Sequence, residues 1–354
     1  MNVDDLIGRP AAWLDAGGGS DPVVSSRIRL ARNLHGAAFP GWAGEEECEK
    51  IWQSLRPTLQ AAPTLGGSYA VGMEDLDELD RQILFERHLI SREHAGRGRG
   101  SGLVGTNDER VAVMVNEEDH LRLQVIRPGL DIREAWEAMN RLDDELGSRV
   151  RYAFSPRLGY LTACPSNVGT GLRASVMVHV PGLVLMNEIN PVIKGVTKIG
   201  LAVRGLWGEG TEAVGNMFQV SNQITLGEKE GEIVQSLEQI VLEIVEHEKN
   251  ARVRLRDRKE PILRDHVGRS LGILQNAHIL ASKEALDLVS GLRLGLEMGI
   301  LKCRDRRPLD ELLVVTQPAH LQKREGRKLK PRNRDVARAQ QVRQVLADCG
   351  LMLS

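Results

Sequence analysis

Cysteines and aromatic residues are scarce in this chain of 354 residues. The four cysteines, Cys48, Cys164, Cys303 and Cys349, lie far apart and form no CxxC pair. This spacing disfavours a zinc site or a disulfide framework, and it predicts a reducing, cytoplasmic location. Aromatic residues make up only 3% of the chain, which disfavours the stacking platforms that bind single-stranded nucleic acid.

The sequence also lacks a long apolar run and a secretory leader. The longest apolar stretch, residues 175–186, is interrupted by His179, Pro181 and Gly182. It falls short of the roughly 20 residues that a membrane-spanning helix needs. The N-terminus is acidic and has no apolar segment of the kind found in signal peptides. We therefore expect no membrane partner.

The remaining composition is that of a globular protein with two or three domains. Hydrophobic residues make up 42%, charged residues 27%, and the net charge is −1. Apolar and polar residues alternate over 110–116 and 121–126, which predicts strands, and residues 174–186 predict one or two more strands broken at Pro181. Helical spacing appears over 131–146, where Asp131 is the expected N-cap, and over 228–250.

The pattern changes near residue 255. Residues 252–259 are densely charged, Pro261 follows, and helical patterns such as 282–296 then dominate. We expect an α+β fold, with an antiparallel sheet flanked by helices over residues 1–255. A small helical C-terminal domain is expected to follow over residues 256–354.

Glycine patterns do not predict a familiar nucleotide fold. The spacing of Gly100, Gly102 and Gly105 matches the dinucleotide fingerprint, but polar residues follow it instead of an apolar helix. No GxxxxGK[ST] phosphate loop is present. A nucleotide would therefore be bound without either of these loops.

Four polar segments carry arginine instead. Arg27 and Arg29 are two residues apart and would share one side of a strand. Each segment alone has an ordinary explanation as a solvated surface or turn. Together they suggest guanidinium groups that neutralise a triphosphate, because the planar fork of arginine matches phosphate oxygens. The segments are SSRIRLARN (25–33), NEEDHLR (116–122), CPSNVGTGLRASV (164–176) and RGLWGEGTE (204–212).

These four ordered segments closely resemble the signature blocks of the phosphagen (guanidino) kinases. That family transfers the γ-phosphoryl group of ATP to a guanidinium nitrogen. The resemblance implies that ATP binds together with Mg²⁺, for which we name no protein ligand. ATP would be bound by residues of all four blocks and by a histidine in RHLIS (87–91). The implied ATP-binding residues are Ser25, Ser26, Arg27, Arg29, His88, Arg122, Arg173 and Arg204.

The resemblance also implies the catalytic residues. Glu118 corresponds to the glutamate that holds the substrate guanidinium and accepts its proton, and Glu117 is a supporting acid. Glu209 corresponds to the second carboxylate, and Cys164 to the active-site cysteine. The chemistry agrees, since a protonated guanidinium is a poor nucleophile and needs carboxylates that orient it and take its proton.

The chain departs from the small-molecule members of this family at both ends. Its first block begins at Ser25, so the helical N-terminal domain is missing, and about a hundred further residues follow the catalytic blocks. This arrangement, and RHLIS at 87–91, resemble the bacterial protein-arginine kinases. The resemblance therefore favours arginine side chains of proteins as the acceptor.

A basic segment in the C-terminal region supports this interpretation. Residues 322–343 contain nine basic residues against two acids. A solvated helix and a nucleic-acid patch are the two general explanations, and nucleic acid is the less favoured partner. Arg334, Asp335 and Arg338 also resemble the RDxxRA phosphoarginine-binding motif of the protein-arginine kinases, which implies a docking or allosteric site.

The resemblance implies partners as well. They are proteins with exposed arginines, stress regulators among them, and a Clp-type protease that degrades the marked products, with assembly of the kinase as a homodimer or higher oligomer. Whether an activator protein is required stays open. Two alternatives are also open: a free-guanidine (arginine) phosphagen kinase, and a catalytically silent module that binds phosphoarginine or nucleic acid.

Overall fold

A computed structural model describes residues 3–14, 22–206 and 213–354. The helices are α1 (Asp4–Ile7), α2 (Glu45–Gln60), α3 (Glu78–Glu86), α4 (Arg92–Ala95), α5 (Ile132–Gly147), α6 (Pro181–Leu185), α7 (Ile189–Lys198), α8 (Glu230–Asn276), α9 (Ser282–Glu297), α10 (Arg307–Val315), α11 (Pro318–Arg324) and α12 (Pro331–Cys349). The strands are β1 (Val23–Arg32), β2 (Tyr69–Gly72), β3 (Gly102–Gly105), β4 (Val111–Val115), β5 (Leu121–Pro128), β6 (Phe154–Ser155), β7 (Gly159–Tyr160), β8 (Leu172–His179), β9 (Leu201–Gly205), β10 (Met217–Asn222), β11 (Leu301–Lys302) and β12 (Met352–Leu353).

The chain divides into two compact units. Unit 1 comprises Met1–Asp5, Ser25–Val176 and Ser221–Glu238. Unit 2 comprises Leu6–Val24, Met177–Val220 and Gln239–Ser354. Within unit 1 the strands follow the order β2-β3-β4-β5-β1-β8-β10, and within unit 2 β10 lies beside β9. The fold is α+β, with an antiparallel sheet flanked by helices, as expected.

Register places Arg27, Arg29 and Arg122 on one face of the central strands. β1 runs antiparallel to β5, with Arg29 opposite Gln124 and Ala31 opposite Arg122. The intervening residues Ile28 and Leu30 are fully buried on the other face. Strand side chains alternate between the two faces. One face of the sheet therefore builds the core, and the other is free to carry charge.

The helix predicted over 131–146 is confirmed as α5, which packs against β5. Asp131 stands at its N-cap, but its carboxylate accepts a hydrogen bond from Arg127 at 3.2 Å and makes no cap to the helix backbone. The prediction for residues 181–186 was wrong. Pro181 opens helix α6, because proline suits the first helical turn, where its missing N–H is not needed.

Helix α8 is longer than the predicted 228–250. It continues to Asn276, although Lys259 leaves helical geometry (φ −137°). The cause is Pro261 in the next turn, whose ring and missing N–H disturb a helix interior. Helices α9 to α12 then complete unit 2, with one short antiparallel pair formed by β11 and β12. The helical character predicted for the C-terminal region is therefore confirmed.

The glycines that imitate a dinucleotide fingerprint serve packing. Gly102 lies against the Trp52 ring, and a Cβ at Gly105 would stand 2.5 Å from the Tyr69 hydroxyl. Both glycines belong to strand β3, with no phosphate loop. In the described ranges, no helix has the length and apolar character that crossing a membrane requires.

Candidate active site

Four arginines form a charged surface on the open face of the sheet, which we call the arginine face. It consists of Arg27 and Arg29 on β1, Arg122 on β5 and Arg173 on β8. Arg27 and Arg29 lie on one side of β1, as their spacing predicts. Arg173 donates a hydrogen bond to the Ser221 hydroxyl at 3.2 Å.

Positive charge is concentrated on the arginine face, where neighbouring guanidinium groups repel one another. Burial, followed by repulsion from Arg122 and Arg173, lowers the Arg27 pKa to about 10. The same causes, with repulsion from Arg27 added, lower the Arg29 pKa. Among the described residues, the buried Nε of Arg29 has no hydrogen-bond acceptor. Arginine stays charged in proteins, so this surface is suited to a polyanion.

Glu117 is the internal counter-ion of this surface. Its carboxylate lies 2.5 Å from Arg122 Nη1, and it also accepts hydrogen bonds from the Ser91 hydroxyl and the Glu118 amide. Burial alone would raise the Glu117 pKa, but these partners lower it to about 2. Burial would likewise lower the Arg122 pKa, but Glu117 outweighs it and the shift is upward. Glu117 is therefore ionised at neutral pH and fixes Arg122.

Glu118 has the opposite character. Its side chain is exposed, and partial burial, followed by the charges of Asp119 and Glu117, raises its pKa. A carboxylate with a raised pKa is a better proton acceptor. The neighbouring Asp119 faces inward and accepts hydrogen bonds from Asn33 and the Ala163 amide, both at 2.6 Å. The three consecutive acids thus have three different environments.

Cys164 lies in the segment of residues 161–171, which we call the Cys164 loop. Its Sγ is 3.0 Å from the Ser166 hydroxyl, and its carbonyl accepts a hydrogen bond from Thr162. The Thr225 hydroxyl lies 2.9 Å from the Ser166 carbonyl oxygen and 2.7 Å from that of Val168. These bonds hold the loop from outside and leave the thiol half-buried.

These groups surround one cavity of about 140 Å³ in unit 1. Arg29, Arg122 and Arg173 supply positive charge, while Glu118 and Cys164 line the same space. The structure therefore brings together three predicted phosphate ligands, the predicted base and the predicted cysteine. Arg27 is not part of the cavity lining, but it is close enough to Arg122 and Arg173 that their charges lower its pKa.

His88 lies beside the arginine face. Its backbone is left-handed (φ 62°), and its carbonyl accepts a hydrogen bond from Gln124 at 2.6 Å. Burial, followed by repulsion from Arg27 and Arg29, lowers the His88 pKa to about 3. The imidazole is therefore neutral at physiological pH.

The remaining predicted nucleotide ligands are placed differently. Ser25 is buried on the same side of β1 as Arg27, whereas Ser26 faces the other side. The Ser26 hydroxyl donates to the Gly129 carbonyl and accepts from the Asp131 amide, so it supports the start of α5. Arg204 is an exposed residue of β9 in unit 2. Glu209 lies outside the described residues.

The predicted phosphoarginine motif lies on α12. Arg338 is 1% exposed and donates to the carbonyls of Thr316 at 2.8 Å and Leu280 at 2.7 Å. It also donates to Asp335 at 2.6 Å, while the half-buried Arg334 points toward the Leu329 carbonyl at 3.4 Å. Arg338 thus joins three segments of unit 2, and the binding role of the motif stays a prediction.

Sequence reasoning missed the residues that hold the site in place. Gln124 shares the face of Arg122, which the two-residue strand period could have indicated. Ser91 appeared only as the last residue of RHLIS (87–91) with no role attached, and Arg97 gave no local sign. They contact Glu117 through its carboxylate and its carbonyl respectively, from positions 26 and 20 residues away along the chain.

Two family models match this chain. The family model "ATP:guanido phosphotransferase, C-terminal catalytic domain" matches residues 51–251, and the model "Protein-arginine kinase McsB C-terminal domain" matches residues 260–351. Among solved structures, the duplicated taurocyamine kinase of Schistosoma mansoni with bound transition-state-analogue components has a TM-score of 0.59 at 27% identity. The match covers 64% of this chain and 33% of that one. A lombricine kinase has a TM-score of 0.57 at 26% identity, with coverages of 68% and 71%.

Full-length relatives are more similar. The protein-arginine kinase of Halothermothrix orenii is 46% identical over 97% of this chain and 99% of its own length. That of Bacillus subtilis is 44% identical over 95% of this chain and 93% of its own. With a charged cavity of the required composition and similarity along both catalytic and C-terminal regions, the chain belongs to the protein-arginine kinase family.

Proposed function

We propose that the cavity between the arginine face and the Cys164 loop transfers the γ-phosphoryl group of ATP to the guanidinium of a protein arginine. The observation that carries this proposal is the meeting of Arg29, Arg122, Arg173, Glu118 and Cys164 around one space. Phosphoryl transfer needs mainly positioning and charge neutralisation. The cationic wall serves the phosphates, and the exposed carboxylate serves the acceptor.

The phosphate chain of ATP would lie along the arginine face. Guanidinium groups bind phosphate oxygens through paired hydrogen bonds, and the buried Nε of Arg29 has no acceptor within the described ranges of the chain. The neutral His88 suits the nucleoside side. Ser25, Ser26 and Arg204 belong to the proposed nucleotide site on sequence resemblance.

Mg²⁺ would enter with the nucleotide. Most side chains near the proposed phosphate site are cationic and do not bind metal ions. Phosphate oxygens and water would therefore hold the metal, as is usual for this ion. Bound there, it would reduce the negative charge on the transferring group. We name no protein ligand for it.

Glu118 would take the proton of the acceptor. As the guanidinium nitrogen bonds to the γ-phosphorus, the bond to the β-phosphate oxygen breaks and ADP leaves. The nitrogen gives its proton to Glu118, whose raised pKa suits this role. Cys164 and, on sequence resemblance, Glu209 would orient the guanidinium. Glu117 would instead keep Arg122 in place, because its own pKa is about 2.

The C-terminal region supports a protein acceptor over free arginine. Residues 260–351 match a domain named for protein-arginine kinases. We propose a boundary near residue 255 between the catalytic domain (1–255) and this domain (256–354), with Arg334, Asp335 and Arg338 as a phosphoarginine site. A cytoplasmic location, an activator protein, a Clp-type protease as the consumer of the product, and a homodimer or higher oligomer complete the proposal.

To test the proposal, the protein is incubated with radiolabelled ATP and Mg²⁺ in the presence of an unfolded protein and, separately, of free L-arginine. We expect label on the protein that is lost in mild acid and survives alkali, as a phosphoramidate does. Glu118→Gln should abolish it, while Glu137→Gln, an exposed acid on α5, should label at the parent rate. Label on free arginine alone would identify a phosphagen kinase. Labelling unaffected by Glu118→Gln would refute the proposed site.

A further inference from the structure

Large apolar side chains are exposed on the outer side of the Cys164 loop. Phe154 and Leu158 are 56% and 45% exposed, and Ile224 and Leu226 are 53% and 52% exposed. Single exposed apolar residues are common on protein surfaces and need no explanation. These four differ because they come from two distant segments of unit 1 that meet at the same loop. We call them the rim patch.

The β6–β7 hairpin carries the first two. Phe154 pairs with Tyr160 across the hairpin, with ring centroids 5.3 Å apart. The Tyr160 amide donates to the Gly169 carbonyl at 2.8 Å, which attaches the hairpin to the Cys164 loop. A Cβ at Gly159 would stand 2.5 Å from that same carbonyl oxygen. The hairpin and the loop are therefore in direct backbone contact.

The segment of Ile224 and Leu226 lies on the loop from another direction. The Thr225 hydroxyl donates to the Ser166 and Val168 carbonyls, while the side chains of its two neighbours along the chain are exposed. A Cβ at Gly169 would stand 2.8 Å from the Leu226 Cα. Gly169 thus separates the two halves of the patch, and Ser166 on the same loop lines the catalytic cavity.

The rim patch and the cavity share the Cys164 loop, which lines the cavity and is bonded to both segments of the patch. An arginine whose guanidinium enters the cavity leaves its backbone at the mouth. Its neighbours follow at about 3.3–3.6 Å per extended residue. The Cys164 loop lines part of this cavity through Ser166 and Asn167, so substrate residues that leave the cavity on this side would contact the rim patch. Free arginine has no such neighbours and would leave the rim patch uncovered.

We propose that the rim patch binds apolar side chains next to the target arginine in an extended protein substrate. This inference rests on the proposed function, because it requires the guanidinium to enter the cavity beside Glu118. Exposed apolar sequence is typical of unfolded chains, which bury such residues when folded. The patch would make the kinase prefer arginines in such sequence.

The test compares two peptides with one arginine each, flanked by leucine and valine in the first and by serines in the second. For Ile224→Ser/Leu226→Ser, we expect KM for the apolar peptide to rise about tenfold, equivalent to about 1.4 kcal/mol. KM for the serine peptide and for ATP should not change. Ile262→Ser is the matched control, since Ile262 is also 53% exposed but lies in α8 of unit 2.

Each other outcome overturns the proposal. Equal KM values for parent and variant with the apolar peptide would exclude the patch, and equal losses on both peptides would indicate damage to the loop. A changed oligomeric state in size-exclusion chromatography would assign the patch to contact between copies of the chain. Phe154→Ser should repeat the peptide selectivity from the other half of the patch. Glu118→Gln separates this proposal from the proposed function. If Glu118→Gln abolishes phosphoryl transfer while the patch variants keep the KM values of the unaltered protein, only the rim-patch proposal is wrong. If Glu118→Gln remains active, both proposals are wrong.

Discussion

Replacing Glu117 with glutamine should destabilise unit 1 by about 3 kcal/mol at pH 7. The carboxylate side chain is 1% exposed and pairs with Arg122 at 2.5 Å. Its pKa falls from an ordinary 4.5 to about 2 on folding, and each pH unit of difference corresponds to about 1.4 kcal/mol. Loss of one partner of a buried ion pair costs about 3–5 kcal/mol by another route, because the remaining charge is left uncompensated. The two figures agree.

The loss should depend on pH in a definite direction. A carboxyl whose pKa is depressed by folding contributes its stability above the unfolded pKa and loses it as pH falls toward the folded one. The contribution of Glu117 is therefore complete above about pH 5 and declines between the two pKa values of 4.5 and about 2. At pH 3 the difference between parent and variant should shrink to about 1.4 kcal/mol.

Urea unfolding followed by tryptophan fluorescence at pH 7, 4 and 3 measures this difference. Glu118→Gln is the matched control, since the two residues are adjacent and the folded state raises the Glu118 pKa. Neutralising Glu118 should leave stability at pH 7 equal or slightly higher, yet it should abolish phosphoryl transfer. Glu117→Gln should lower stability, and it should raise KM for ATP because Arg122 loses its fixed position.

Two results would refute the reasoning. A loss below about 1 kcal/mol at pH 7 would mean that Glu117 is not the buried partner of Arg122, because breaking such pairs costs more. A loss of equal size at pH 7 and pH 3 would mean that the ionised carboxylate is not its source. In either case Glu117 would return to consideration as a proton-transfer group.

Three further variants test other parts of the structure. Arg29→Ala should raise KM for ATP about 10- to 100-fold, since a hydrogen bond to a charged group contributes about 1.5–3 kcal/mol, and an unchanged KM in steady-state kinetics would contradict its phosphate role. Gly169→Ala should lower kcat about 100-fold through displacement of the Cys164 loop, because φ is +113° and a Cβ would overlap the Thr225 carbonyl; crystallography or kinetics that find an undisturbed loop would argue against it. Arg338→Ala should destabilise unit 2 by about 3 kcal/mol, since the carbonyl of Thr316 is among three acceptors that lose their donor, and a melting temperature equal to that of the parent would exclude this structural role.

Local pattern and motif identity carried much of the prediction. The helix predicted over 131–146 is α5, which buries one face, and the strand predicted from the alternation over 110–116 is β4, in which every residue is buried. The same alternation placed Arg27 and Arg29 on one side of β1. The four signature segments identified the kinase family, since they contain the charged residues that the chemistry requires.

Other features depend on contacts that no local pattern contains. The adjacent residues Glu117 and Glu118 look alike in sequence, but one faces Arg122 and Ser91 inside the protein and the other faces the cavity. The sequence also does not show that the Arg338 guanidinium is buried and donates to backbone carbonyls of two other segments, while its binding role stays a prediction.

The sequence by itself therefore determined the strands and helices with clear periodicity, the family, and the types of residue that do the chemistry. Only the tertiary structure decided which of these residues share a cavity, which carboxylate is held ionised and which has a raised pKa, and which apolar side chains stay exposed beside the Cys164 loop. The physical reason is that pKa and exposure depend on the charges and burial around a side chain. Those surroundings come from residues far apart in the chain, such as Ser91 and Glu117.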